Sequence, residues 1–121
     1  MEKRKFDLEE RTSLFGEAVI DFAKLIPRSV ITLPLISQLV RAGTSVGANY
    51  READCAESRK DFEHKIAISK KEANESRYWV RMIVRAAPQL ADEAKPLWIE
   101  ASELQLIFVS IIKKSKTNGV L

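Results

Sequence analysis

One histidine, one cysteine and a row of arginines are the residues of this chain whose chemistry could be put to use, and their spacing limits each of them. A di-metal carboxylate site in a helical bundle needs Glu-x-x-His on each of two helices and two further Glu. Here Asp61-x-x-His64 is the sole pair at that spacing, and Asp61 is better placed to cap a helix. A serine or cysteine nucleophile would need His64 as its base, yet His64 falls away from the apolar stripe of its own helix. Cys55 lies between Asp54 and Glu57, and negative neighbours disfavour a thiolate. Gly43 and Gly47 sit inside a helical pattern with no Lys-Ser after them, so they do not form a phosphate-cradling loop. The expectation is a protein without catalytic residues, metal site or cofactor.

The basic residues are distributed more tellingly than their sum. Net charge is only +3 over 121 residues, but residues 59–85 carry a clear excess of Lys and Arg over Asp and Glu. Projected at about 100° per residue, Lys70, Arg77, Arg81 and Arg85 share roughly 80° of one helix face. Arginines spaced by four residues repel one another unless carboxylates or phosphates answer them. Two readings are open for this row: salt bridges between helices or subunits, or a stripe that tracks phosphates without reading sequence. Lys113, Lys114 and Lys116 form a second basic cluster, suited to the negative end of a helix.

The elements that must position these residues are helices. Four Gly and four Pro in the whole chain leave little turn punctuation, and apolar residues recur at three- and four-residue spacing. The patterns predict one domain over residues 1–121, with helices at about 7–26, 33–55, 59–87 and 92–115. Asp7 with Glu10, and Ser58 with Asp61, read as capping boxes, with Phe6 preceding the first. Thr32 reads as the cap of the second helix, with Pro34 in its first turn. Pro27 and Pro88 end the first and third helices. Thr117–Leu121 reads as a frayed tail.

Core stripes follow from the same periodicity. They comprise Leu8, Phe15, Ala18, Val19, Phe22, Ala23 and Ile26; Leu35, Leu39, Ala42, Val46, Tyr50 and Ala53; Phe62, Ile66, Ser69, Ala73, Ser76, Val80 and Val84; and Leu97, Ala101, Leu104, Phe108 and Ile111. Trp98, Ile107 and Ile112 widen the last. Four such stripes joined by short connections bury themselves as an up-down-up-down antiparallel four-helix bundle of the all-α class.

Two helices carry more than a core stripe. Ile36, Val40, Gly43 and Gly47 fall beside the core face of the second helix. Each mid-helix glycine costs about 1 kcal/mol relative to alanine, so close approach of another helix is the expected reason, from this subunit or a neighbour. Gln38, Arg41, Ser45, Asn49 and Glu52 make a polar stripe, read as a hydrogen-bond network that fixes helix register. On the third helix Ile68, Glu72, Trp79 and Ile83 share a flank whose exposed aromatic would mark a partner surface. With Ile36, Val40, Gly43 and Gly47, that flank is the expected oligomer interface.

The stretch from Gln38 to Trp79 resembles the family of bacterial 23S rRNA intervening-sequence proteins. The matching residues are Gln38-Leu39, Arg41-Ala42, Ser45-Val46, Asn49, Glu52-Ala53, Ser58, Lys60-Asp61-Phe62, Ile66, Ile68, Glu72, Glu75 and Tyr78-Trp79, together with the closing SIIKKSK of the fourth helix. The resemblance implies a four-helix bundle assembling as a homopentameric barrel. It also implies kinship with the accessory protein of diversity-generating retroelements, and so a reverse-transcriptase-like partner and nucleic acid. Nothing in the residues argues for a structural ribosomal protein.

The residues exclude other classes. MEKRKFDLEE has no apolar core region and is not a signal peptide. The most apolar stretch, Leu104–Ile112, is about half a bilayer span. A single cysteine leaves no intrachain disulfide, as suits a reducing cytoplasm. The expectation is a cytoplasmic, non-catalytic, self-associating bundle that binds RNA or DNA through Lys70, Arg77, Arg81, Arg85, Lys113, Lys114 and Lys116. The alternative is a protein-interaction scaffold with no nucleic-acid role.

Overall fold

A computed structural model describes residues 7–119, and within them the chain forms four α-helices and no strand. These are α1 (Leu8–Leu25), α2 (Thr32–Asp54), α3 (Arg59–Ala86) and α4 (Ala91–Gly119), the last entered through a 3-10 turn at Pro88–Leu90. Connections this short return each helix antiparallel to the one before it. Cross-helix pairs trace that course: Glu9 meets Arg51, Glu52 meets Lys65, Glu63 meets Lys116, and Arg11 closes the ring on Glu100. The packed all-α bundle expected from the periodicity is present.

The starts of the helices show the local chemistry at work. Asp7 Oδ1 accepts from the Glu10 amide at 3.0 Å, and Ser58 Oγ accepts from the Asp61 amide at 3.0 Å, as the sequence signatures required. Phe6 lies outside the described residues. The cap of α2 is different from the expected Thr32. Ser29 Oγ accepts from the Thr32 amide at 3.1 Å, while Thr32 Oγ1 accepts from the Ser29 amide at 2.9 Å and donates to the Pro27 carbonyl at 2.6 Å. Thr32 is thus the return half of a reciprocal box, and Ser29, three residues earlier, is the cap.

Helix α4 is longer than its periodicity indicated. It begins at Ala91, runs through Pro96, and stays helical through Thr117 and Asn118 to Gly119, where the sequence reading had a frayed tail; Val120 and Leu121 lie outside the described residues. Pro96 has no amide to give, so no i→i−4 bond reaches the Asp92 carbonyl in the first turn.

The core is the four stripes brought face to face. Phe15, Val19, Phe22, Leu39, Val46, Ile66, Leu104 and Phe108 are all buried, each worth about 1.5–3 kcal/mol relative to exposure. Leu35, Tyr50, Phe62, Val84 and Ile111 pack on the margin of this cluster, and Ala18 faces outward. Between α2 and α3 the contact is close because the facing side chains are small. Ser69 and Ser76 are completely buried beside Ala73. Ser69 Oγ donates to the Val46 carbonyl at 3.0 Å, and Ser76 Oγ donates back to the Glu72 carbonyl at 2.8 Å, so neither hydroxyl is left unpaired.

Candidate nucleic-acid interface

The polar stripe of α2 is a cross-brace. Arg41 donates to both carboxylate oxygens of Glu72 at 3.3 Å and to Glu75 at 2.7 Å, while Gln38 accepts from Arg41 Nε at 3.3 Å. The Glu72 side chain is only 10% exposed. These contacts push the Arg41 guanidinium further up, chiefly through the hydrogen bond to Glu72. One and two turns on, Ser45 Oγ donates to the Arg41 carbonyl and Asn49 Nδ2 to the Ser45 carbonyl. Glu52 accepts from Lys65 at 2.7 Å, which raises the Lys65 ammonium above its usual range. The stripe of Gln38, Arg41, Ser45, Asn49 and Glu52 is occupied inside the chain.

The residues expected to form the oligomer interface divide. Gly43 and Gly47 are buried under α1 of the same chain: a Cβ on Gly43 would stand 2.7 Å from Val19 Cγ2, and one on Gly47 would stand 3.2 Å from Thr12 Oγ1. The close approach inferred for these glycines is real, and the helix that makes it belongs to the same subunit. Ile83 is completely buried and Glu72 is held by Arg41, so neither presents a surface. Ile36, Val40, Ile68 and Trp79 are half-buried. The Trp79 ring meets Tyr78 edge-on at 4.9 Å, and its indole Nε1 is buried with no hydrogen-bond partner.

The basic row of α3 also divides. Arg77 is drawn into the α3–α4 seam: it donates to Gln105 Oε1 at 3.0 Å and to Asn74 Oδ1 at 3.4 Å, and its guanidinium carbon lies 4.6 Å from the centre of the Trp98 ring. This is a cation–π contact. Arg81 and Arg85 are exposed and Lys70 half-exposed. Among the described residues none of the four has a carboxylate within 4.0 Å. At the end of α4, Lys113 and Lys114 are exposed, whereas Lys116 reaches Glu63 at 3.6 Å. Glu63 also accepts from Ser115 Oγ at 2.6 Å, and that bond, with Lys116 behind it, holds the carboxyl below its ordinary range.

Beside Arg81 the seam opens into a groove of about 610 Å³. Val80, Val84 and Ala94 form its apolar base, Trp98 one wall, and the exposed Arg81, Lys95 and Asp92 its rim. The periodicity places Trp98 at the widened edge of the core stripe, yet the residue is 36% exposed. Its position one step off the Leu97–Ala101–Leu104–Phe108 stripe, with Lys95 a turn earlier, was the available signal.

His64 and Cys55 are both exposed, and among the described residues no cluster of three or more His, Cys, Asp or Glu is placed to hold a metal. No helix among them is long and apolar enough to cross a membrane.

Comparison with known proteins bears directly on the Gln38–Trp79 signature, because residues 4–110 match the 23S rRNA-intervening sequence proteins. The chain belongs to that family. A solved structure of a protein of unknown function from the S23 ribosomal protein family of Bacteroides thetaiotaomicron VPI-5482 is similar throughout, with 31% identity and a TM-score of 0.79. The match covers 87% of this chain and 97% of that one. No curated protein matches. Membership of the 23S rRNA-intervening sequence family accounts for the bundle and for the signature residues, most of which prove to be core, cap or cross-brace.

Proposed function

We propose that this protein is a non-catalytic, self-associating nucleic-acid-binding accessory protein, acting in the cytoplasm as one four-helix domain. It contacts phosphates through Lys70, Arg81 and Arg85 on α3 and through Lys113 and Lys114 at the end of α4. The observation that carries this reading is a contrast between two sets of cations. Arg11, Arg41, Arg51, Lys65 and Lys116 each have a carboxylate within 4.0 Å, whereas Arg81 and Arg85 have none among the described residues and face solvent. Clustered cations left unanswered within the subunit raise the local potential and favour a polyanion. The family's name associates it with 23S rRNA, which puts RNA first among the polyanions. Pentameric assembly and a reverse-transcriptase-like protein partner come to this chain from the family resemblance alone. Anisotropy titration with short RNA and DNA tests the reading: absence of binding at low salt by the wild type refutes it.

A scaffold reading has its own support. Ile99 and Leu106 stand 47% and 69% exposed, seven residues apart on the outer side of α4, a spacing that repeats on one helix face. If these side chains serve assembly, Leu106→Glu dissociates the oligomer in light scattering while nucleic-acid affinity per subunit falls only through lost avidity.

A further inference from the structure

We infer that the groove at Trp98 is a subsite for one unpaired nucleotide, its base stacked on the indole and its phosphate held by Arg81 and Lys95. The inference rests on the nucleic-acid reading and narrows it to single strands. Three features of the groove point this way. First, its base is apolar, with Val80 and Ala94 nearly buried, and its volume of about 610 Å³ falls within the roughly 300–1,000 Å³ of small-ligand sites. Second, the Trp98 ring is already oriented: Arg77, which is not part of the groove lining, lies 4.6 Å over it and is itself fixed by Gln105. A guanidinium fixed against the indole keeps the ring from collapsing into the apolar base. Third, two cations stand at the rim against one carboxylate, Asp92, and neither Arg81 nor Lys95 is paired among the described residues.

An apolar slot with an indole wall and a cationic edge complements a planar base joined to a phosphate. Duplex nucleic acid cannot use it, because its bases are stacked and paired. Proteins that take unpaired strands combine these same two elements, aromatic platforms and a positive track. A purely electrostatic surface would lack the platform and would accept duplex equally well. Arg81 belongs to both the groove rim and the exposed row continued by Arg85, so the strand entering the groove is led there by the row.

The experiment compares a short oligoadenylate with the same strand annealed to its complement, at one salt concentration. In the full-length Trp79→Phe protein, where Trp98 is the remaining indole, the single strand is expected to quench tryptophan emission and the duplex to leave it unchanged. Trp98→Leu should weaken single-strand binding on the order of tenfold, as loss of one stacked base does. It should leave duplex affinity and oligomer mass unaltered, while Trp98→Phe retains most of the affinity. Lys95→Gln, at an exposed position, gives a smaller loss, greater for the single strand than for the duplex, and guards against a folding defect in Trp98→Leu. Equal losses for strand and duplex, or unquenched Trp98 in a saturated complex, overturn the subsite while leaving the nucleic-acid reading standing. A change of mass in Trp98→Leu overturns it in favour of a subunit contact. Failure of the wild type to bind either probe removes both readings.

Discussion

Val19 stands where a side chain on Gly43 would have to be: a Cβ added there would lie 2.7 and 2.8 Å from the two Val19 methyls and 3.0 Å from Val19 Cβ. The obstruction is a β-branched residue, stiff at χ1, completely buried, and unable to swing aside. Helix α1 rests on α2 at this point with nothing but hydrogen between the backbone and the valine.

Gly43→Ala is therefore expected to destabilise the protein. The helix-propensity gain of about 1 kcal/mol is outweighed by overpacking of about 1–3 kcal/mol, and the methyl has no room to relax into. Gly16→Ala is the internal control, since its Cβ would meet nothing closer than 3.6 Å and the propensity gain should stand alone, raising Tm by a few degrees. In Gly43→Ala, Tm should fall, and Val19→Ala in the same chain should recover part of the loss in a double-mutant cycle. Equal melting of the two glycine variants would refute the contact.

The two cross-braces between α2 and α3 should differ in weight. Arg41→Ala leaves Glu72 buried and unanswered, a loss of about 1–3 kcal/mol. Lys65→Ala breaks a bond to Glu52, whose side chain is 61% exposed and simply returns to water. Urea unfolding of the two variants is the measurement. A midpoint for Arg41→Ala no lower than that of Lys65→Ala would contradict the buried-carboxylate account.

Acid sensitivity has a defined source in Glu63. Its carboxyl is held below the ordinary 4.5 by the Ser115 hydroxyl and Lys116. A depressed folded-state value means that the unfolded chain binds the proton first as pH falls. The contribution of Glu63 is therefore complete above about pH 4.5 and disappears as pH drops through the lower folded value. Glu63→Gln should melt below the wild type at neutral pH, and the difference should narrow progressively under acid. A difference independent of pH would place the effect in packing.

Salt dependence gives the row on α3 a number. Replacing Arg81 and Arg85 together removes two phosphate contacts, so the slope of log K against log salt should become shallower by about 1.4 for a single strand. Arg77→Gln should change the slope little, since its guanidinium is committed to Trp98 and Gln105. An unchanged slope in the Arg81/Arg85 variant would remove the row from the interface.

Much of the fold was readable from residue types because the rules involved are local. Asp7 and Ser58 cap their helices by reaching three residues along the chain, and the stripes of Leu39, Val46, Ile66 and Phe108 follow from a period of 3.6. Where the reading fell short, geometry between helices decided. Gly43 announced a close neighbour without saying which helix it was, because α1 and a second subunit impose the same demand for a small residue. Ile83 and Trp98 lie on the borders of their stripes, where the fit of the neighbouring helix decides between full burial and a groove wall. Ser29 and Thr32 carry the same hydroxyl chemistry, Thr32 nearer to Pro34, and only their reciprocal pairing in space distinguishes their roles. Arg77 looks like Arg81 along the helix, and it took the seam with α4 to separate a residue held by an indole from one that faces water.

The serine that joins α3 to the Val46 carbonyl has a counterpart in how the chain can vary. On one side α2 admits α1 at the distance of a glycine, and on the other it admits α3 at the length of a hydroxyl. A helix confined on two sides in this way has almost no volume to spare. Sequence change in this protein should therefore be unequal among its positions: an outward residue such as Leu25 of α1, 54% exposed, can drift in size and polarity, while Gly43 and Gly47 of α2 are restricted to the smallest side chains.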